Sequence, residues 1–302
     1  MQDERKHPPP VSRPHGDSPR RPTFALALGG GGVRGLGHIP MLEVLDEMGI
    51  RPVVISGTSI GAIIGAAYAS GIPARRIRAH AEGVLRRRFS LVRQIFSARA
   101  TPIQRIMHLV QLKSAVLRPD VLLDLLMPQE LARTFEELAI PLKIMASDIR
   151  NYEAVVFDSG LLVPAVAASM ALPALFTPVQ HQGRLLLDGG LVNPLPFDIL
   201  AGMADVVIAV DVSGIPDPAD QVSDPTVLEA LITSSQLLQH SIVRERLKSS
   251  QPDVYIDLPV SMFGMLDLHK HREILAAADG AKDHFRRLLE RVIASPTLRE
   301  EG

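Results

Sequence analysis

Pro52-Val-Val-Ile-Ser-Gly-Thr-Ser-Ile-Gly-Ala-Ile-Ile-Gly-Ala-Ala-Tyr-Ala-Ser-Gly71 is the stretch whose reading decides the fold. Val53, Val54 and Ile55 form a β-branched run suited to a buried strand. Ile60, Ile63, Ile64 and Ala67 then fall at i, i+3, i+4 and i+7, one face of a helix. Between the two periods lies Gly57-Thr58-Ser59-Ile60-Gly61, a G-x-S-x-G that turns a strand into a helix. In that setting a sharp turn lifts the serine out of the sheet, and its small neighbours let backbone approach closely. The helix begins at Ser59, so its N-terminal N–H groups and dipole favour negative charge beside the hydroxyl. The plain alternative is a helix start that happens to be bounded by glycines.

Upstream, Thr23-Phe-Ala-Leu-Ala-Leu28 is a short apolar run that enters Gly29-Gly-Gly-Gly-Val-Arg-Gly35. Leu36, Ile39, Leu42 and Leu45 recur every three residues, and Gly49 stands where a helix C′ residue belongs. Pro40 lies inside this pattern, so the helix either starts or kinks there. Strand, helix, strand, helix by residue 70 predicts a parallel sheet with helical crossovers. Gly30-x-Gly32-x-x-Gly35 also fits a dinucleotide fingerprint, which requires an acidic residue about 20 positions on, at the end of the second strand. That strand ends Val54-Ile55-Ser56-Gly57, and the acid is missing. The alternative use of four consecutive glycines is to present backbone N–H groups to the oxyanion of an acyl-transfer intermediate.

The chain has 302 residues, 46% of them hydrophobic, and Lys+Arg 32 against Asp+Glu 33. That suffices for a sizeable core and gives no reason to expect nucleic acid as a partner. Without cysteine there is no disulfide, thiol nucleophile or thiolate metal site. The histidines show no ligand spacing, so we expect no metal and no cofactor. Residues 1–22 are rich in proline, arginine and histidine without an apolar h-region, and read as a disordered tail rather than a signal peptide. Residues 161–183 carry no charge, but Pro164, Pro173 and Pro178 argue for buried core and turns over a spanning helix. We therefore expect a soluble, cytoplasmic protein whose contact with a membrane, if made, is peripheral and at the inner face.

Between residues 75 and 118, eleven Arg and Lys residues face one acid, Glu82, and are threaded with Ile77, Phe89, Ile95, Phe96 and Ile106. A basic amphipathic region of this kind suits anionic lipid headgroups, with Arg86, Arg87 and Arg88 as the contact candidates. A solvated helical cap over about 73–140 is the alternative, and one segment can be both. Pro141–Ser147, Glu153–Phe157, Arg184–Leu187, Asp205–Asp211 and Val254–Ile256 read as strands, with Asn151 in a turn. Thr226–Lys248 and His271–Ile293 read as helices. Asp188-Gly-Gly190 closes a strand, and by itself is as consistent with a turn as with a site.

Taken in order, Gly30-Gly-Gly-Val-Arg-Gly35, Gly57-Thr-Ser-Ile-Gly61, Ala168-Ser-Met-Ala-Leu-Pro173 with Phe176 and Pro178, and Asp188-Gly-Gly190 resemble the patatin-like phospholipase family, in particular its small bacterial members. The motifs span about residues 24–212. The resemblance implies a three-layer α/β/α fold in a single domain over 23–302, with the region 213–302 largely helical. It also implies hydrolysis of phospholipid or lysophospholipid acyl esters by a Ser-Asp dyad without histidine. By motif position Ser59 is the nucleophile, with Gly57, Ile60 and Gly61 as its elbow, and Asp188 the base, followed by Gly189 and Gly190. Gly30, Gly31, Gly32, Val33, Arg34 and Gly35 form the oxyanion hole. Pro40 departs from the small residue of that pattern. Two other readings compete: an α/β-hydrolase whose Ser-Asp pair is completed by His269 or His271, and a lipid-binding adaptor with a vestigial dyad. Sequence does not fix the oligomeric state.

Overall fold

A computed structural model describes residues 21–96, 118–214 and 226–294. The tail expected over 1–22 lies outside these residues but for its last two, as do residues 97–117 of the basic region. Eight strands form one sheet: β1 Phe24–Leu28, β2 Val54–Thr58, β3 Leu142–Asp148, β4 Glu153–Phe157, β5 Val179–His181, β6 Arg184–Asp188, β7 Val206–Asp211 and β8 Val254–Asp257. The helices are α1 His38–Met48, α2 Ile60–Ala69, α3 Ala74–Phe96, α4 Pro119–Leu126, α5 Leu162–Ser169, α6 Val227–Ser249, α7 His271–Asp279 and α8 Lys282–Ala294.

Strands β3, β2, β1, β7 and β8 lie side by side and parallel, as the strand–helix alternation predicts. Central strands of such a sheet are apolar on both faces. Phe24, Leu26 and Leu28 of β1 point into the core that holds α1, α2, α5 and α7, while Ala25 and Ala27 point the other way, to Phe197, Leu200 and Val243 of α6. β7 repeats the division, with Val206, Ile208 and Val210 on the first face and Val207 and Ala209 on the second. The result is the three-layer α/β/α arrangement.

β3 is what positions the site. Its residues 142–145 pair with β2, residues 144–148 with β4, and residues 146–148 with β6. Since β4 occupies one edge of β3 throughout 144–148, β2 and β6 share the other edge. They run in opposite directions and meet end to end, Thr58 opposite Met145 and Asp188 opposite Ala146.

Gly49 adopts the left-handed conformation at φ 65 and closes α1, with Ile50 N–H on the Leu45 carbonyl. α1 begins at His38 after a 3₁₀ turn over Gly32–Gly37, so Pro40 falls in its first turn, where its missing N–H leaves no bond unmade. Pro164 sits likewise in the first turn of α5, and the uncharged run 161–183 becomes a buried helix followed by turns and the short strand β5. The closing helix is a correction: His271–Ile293 is divided at Gly280-Ala281 into α7 and α8. Each piece sends its own residues inward, Ile274 and Leu275 from α7 and Phe285 and Leu289 from α8. Helix over the expected cap is confined to α3 and α4 among the described residues, with a 3₁₀ turn Phe135–Glu137 beyond.

The charge balance of that cap also differs from its sequence count. Arg75 pairs with Glu47, Arg76 with Glu130, and Arg78 with both Glu43 and Asp279 at 2.7 Å. The acids come from other elements, which a count within the segment cannot see.

Candidate active site

At the end of β2 the backbone of Ser59 takes φ 56 and ψ −120, a conformation that costs an L-residue about 1–3 kcal/mol and persists only where the surroundings impose it. They do so here. Gly61, in the first turn of α2, crosses β1 so closely that a Cβ would lie 2.2 Å from the Leu28 carbonyl oxygen. Ser59 N–H donates to Ser169 Oγ at 2.9 Å, and Ser169, the last residue of α5, is fully buried. Gly57 is inside β2, paired with Leu28 and Ile144, and Ile60 packs against Gly35 of the glycine loop.

The end-to-end meeting of β2 and β6 brings Ser59 Oγ to Asp188, donating to Oδ2 at 2.7 Å. The other carboxylate oxygen accepts Gly190 N–H, also at 2.7 Å, so Asp188-Gly-Gly190 caps its own 3₁₀ turn, Gly189–Leu191. Burial pushes the Asp188 carboxyl up to about 6, against the opposing pull of the Gly190 and Ser59 donors. A carboxylate in that state is a better base than an ordinary aspartate and is still ionised at neutral pH. Among the described residues no histidine bonds to either side chain, and His271 Nδ1 instead meets the Leu268 carbonyl at 3.0 Å.

The glycine loop runs beside this pair, Gly30 approaching Ser59 Cβ. Its N–H groups are not equivalent. Gly30 N–H donates to Pro194 O at 2.9 Å and Val33 N–H to Met265 O at 2.9 Å. Those of Gly31 and Gly32 meet no protein acceptor among the described residues, and Gly32 lines the cavity that Ser59 opens into. Arg34 points away from that cavity: it is 2% exposed and donates through Nε to Gly31 O at 3.3 Å. His38 is fully buried with Nε2 2.8 Å from Gly29 O. Burial lowers the His38 imidazole to about 4, so the ring is neutral and Nε2 carries the proton.

The loop after Asp188-Gly-Gly190 braces both neighbours. Thr58 Oγ1 donates to Asn193 O at 2.8 Å, Ser56 Oγ to Pro196 O at 2.7 Å, and Gly30 N–H to Pro194 O.

The cavity, about 200 Å³, extends from Ser59 between α1, α2, α3 and α4. Ile60, Ile63, Ile64 and Ala67, the helix face evident in the sequence, form one wall, with Leu85, Leu122 and Phe176 opposite. Ser59 and His80 are its polar side chains, and His80 is tied by Nε2 to Leu126 O at 2.8 Å. Among the described residues no cluster of side chains could hold a metal ion.

A family model described as patatin-like phospholipase matches residues 26–201, a stretch that contains the glycine loop, the serine turn and Asp188. This chain belongs to the patatin-like phospholipase family. The patatin-like chain is 34% identical over 194 residues to an uncharacterised NTE family protein of Mycobacterium tuberculosis, covering 64% of this chain and 50% of that protein. It is 31% identical over 279 residues to the human patatin-like phospholipase domain-containing protein 6, covering 83% of this chain and 19% of the human one. It thus spans half of the mycobacterial relative and a fifth of the human. VipD from Legionella pneumophila superposes with a TM-score of 0.46 at 15% identity, covering 89% of this chain and 67% of VipD.

Sequence reasoning missed the part of Ser169. Its motif, Ala168-Ser-Met-Ala-Leu-Pro173, counts toward the family resemblance, but no role is assigned to its serine from the sequence. The signal available was a lone hydroxyl in an otherwise apolar helix, which needs a partner when buried. Of the lipid-contact candidates, Arg86 is exposed on α3, while the side chains of Arg87 and Arg88 lie outside what is described.

Proposed function

We propose that this protein hydrolyses the carboxylic acyl esters of phospholipids or lysophospholipids through an acyl-enzyme on Ser59. The observation that carries the reading is the 2.7 Å hydrogen bond from Ser59 Oγ to Asp188 Oδ2 at the polar end of an apolar cavity. Asp188 takes the hydroxyl proton as Oγ attacks the ester carbonyl. The carbonyl oxygen becomes an oxyanion and is met by the unclaimed N–H groups of Gly31 and Gly32, with the N-terminus of α2 adding its dipole. Collapse breaks the acyl C–O bond, and Asp188 returns the proton to the departing alcohol. Water, deprotonated by the same carboxylate, then attacks the acyl-serine and releases the fatty acid and free Ser59. The apolar walls suit an alkyl chain, and the lack of a charged group on them favours acyl over headgroup binding there.

No helix among the described residues is long and apolar enough to cross a membrane. In this reading the lipid is met at the bilayer surface, on the outward side of α3 around Arg86, since Arg75, Arg76 and Arg78 are already paired with acids.

The test is release of fatty acid from a panel of phospholipids, lysophospholipids and short nitrophenyl esters, with a fluorophosphonate to mark the nucleophile. The expected result is an adduct on Ser59 and turnover that ends in Ser59→Ala and Asp188→Asn. Lipid binding without release would leave the adaptor reading standing.

A further inference from the structure

A buried guanidinium in a glycine loop calls for a reason. Removing such a charge from water is costly, and packing alone would be served by an apolar side chain. Arg34 is nevertheless one of the largest fully buried side chains among the described residues, and its Nη1 has no hydrogen-bond partner among them. It is absent from the cavity wall, so it does not act by touching an acyl chain. Its one side-chain hydrogen bond among the described residues runs from Nε to the carbonyl of Gly31.

That carbonyl shares a peptide plane with the N–H of Gly32. No peptide bond is cis among the described residues, and in a trans peptide C=O and N–H point in opposite directions. Whatever holds Gly31 O behind the loop therefore aims Gly32 N–H out of its front, and Gly32 lines the cavity with Ser59. The peptide two before it, Gly29–Gly30, has the same construction. His38, one helical turn further on, holds Gly29 O, and the N–H of Gly30 leaves on the other side to reach Pro194 O. Two buried donors from one stretch of chain thus grip alternate carbonyls of the loop.

Asp211 and Asp257 end the adjacent parallel strands β7 and β8 in register with one another; neither forms an ion pair with Arg34 among the described residues, but their charges offset part of the cost of burying it. Asp211 is fixed by Ser213 N–H at 2.8 Å and by the Tyr255 hydroxyl at 3.0 Å. Burial lowers the Arg34 guanidinium only to about 10, so it stays charged at neutral pH.

We infer that Arg34 is a positioning residue: from its buried seat behind the glycine loop it holds the Gly31 carbonyl, so that the N–H of Gly32 is aimed at the oxyanion formed beside Ser59. The inference rests on the Ser59–Asp188 reading of the site. It assigns Arg34 to the support of the oxyanion donors rather than to the donors themselves.

The experiment compares Arg34→Met and Arg34→Lys with the parent chain on a soluble short-chain ester. Arg34→Met should lower kcat about 100-fold, the loss typical of one oxyanion donor, with KM changed less than about twofold. Affinity for an alkyl trifluoromethyl ketone, which forms a tetrahedral oxyanion on the serine, should fall by the same factor. Affinity for a free fatty acid should not change. Arg34→Lys, whose ammonium can still reach a carbonyl oxygen, should recover most of kcat. If Arg34→Met does not fold, Arg34→Gln is measured in its place with the same expectation. The inference is overturned if the neutral variant keeps kcat within about threefold of the parent, or if ketone and fatty-acid affinities fall together. Ser59→Ala and Asp188→Asn are assayed alongside. Activity retained in those two would refute the site itself, whereas activity lost in them but kept in the neutral Arg34 variant refutes only the role of Arg34.

Discussion

Ser59 and Asp188 are separated by 129 residues of chain and joined by one hydrogen bond, Oγ to Oδ2 at 2.7 Å, across the point where β2 and β6 abut. With burial holding the carboxyl at about 6, its protonated fraction grows as pH falls below neutrality. A protonated Asp188 cannot accept the serine proton, so kcat/KM on a soluble ester should decline tenfold per pH unit below about 6. An acid limb near 4 instead would show that the carboxylate is solvated as an ordinary aspartate is.

The same burial has a cost in stability. The folded pKa of Asp188 lies above its unfolded value of 3.8, so the folded state binds more protons and stability falls as pH rises from about 4 to about 6. Asp188→Asn lacks that penalty, and its amide can donate to Ser59 Oγ while its oxygen keeps Gly190 N–H. It should be inactive yet more stable than the parent at pH 7.5, by up to roughly 3 kcal/mol, with the difference vanishing near pH 4. Urea unfolding at the two pH values measures this, and curves that keep a constant spacing would contradict it.

Ser169→Ala removes the acceptor of Ser59 N–H. A buried donor left unpaired costs about 1–3 kcal/mol, and the strained turn loses one of its restraints. We expect a lower Tm and a kcat reduced about tenfold at unchanged KM, with Ser169→Thr intermediate. Parent-like kcat in Ser169→Ala would show that the turn is held by Gly61 and its neighbours alone.

Ala81 lies on α3 at the cavity wall. Ala81→Phe should shorten the space for an alkyl chain, lowering kcat/KM for a long-chain ester about tenfold or more while an acetate ester is hydrolysed as before. Equal losses on both would place the acyl chain elsewhere.

Arg86→Gln/Arg87→Gln/Arg88→Gln tests the bilayer contact. Each charge near an anionic surface contributes on the order of 1 kcal/mol, screened over about 8–10 Å at moderate salt. The triple variant should bind anionic vesicles more weakly and with a shallower salt dependence, and leave the soluble-ester rate alone. Undiminished vesicle binding would reduce this stretch to a solvated helix face.

What could be read from the sequence was what local periodicity encodes. β1 and β7 are apolar on both faces because both are covered, and α2 shows its cavity wall as a spacing of isoleucines. The serine turn was legible because a strand period, a glycine and a helix period follow one another within a few residues. The meeting of β2 with β6 was not, since it depends on which edge of β3 each strand takes, a choice made by distant segments. The partners of Arg75, Arg76 and Arg78 escaped notice for the same reason. The break at Gly280 was hidden because the sequence on both sides keeps a helical period. Of the two alternatives the sequence leaves for Pro40, a helix start or a kink, the structure takes the start, and Pro164, which reads as an interruption of an uncharged run, likewise occupies a first turn that tolerates it.

The end-on junction of β2 with β6 also constrains when, during synthesis, the proposed dyad can assemble. The parallel strands β1, β2 and β3 are all made by residue 148, forty residues before Asp188. A nascent chain of that length includes the residues of the serine turn but neither Asp188 nor Ser169, the two side chains it bonds to in the folded protein. Contacts of such sequence separation are late and slow to form. In the proposed reading the Ser59–Asp188 pair therefore forms only when β6 docks against the free half of the β3 edge.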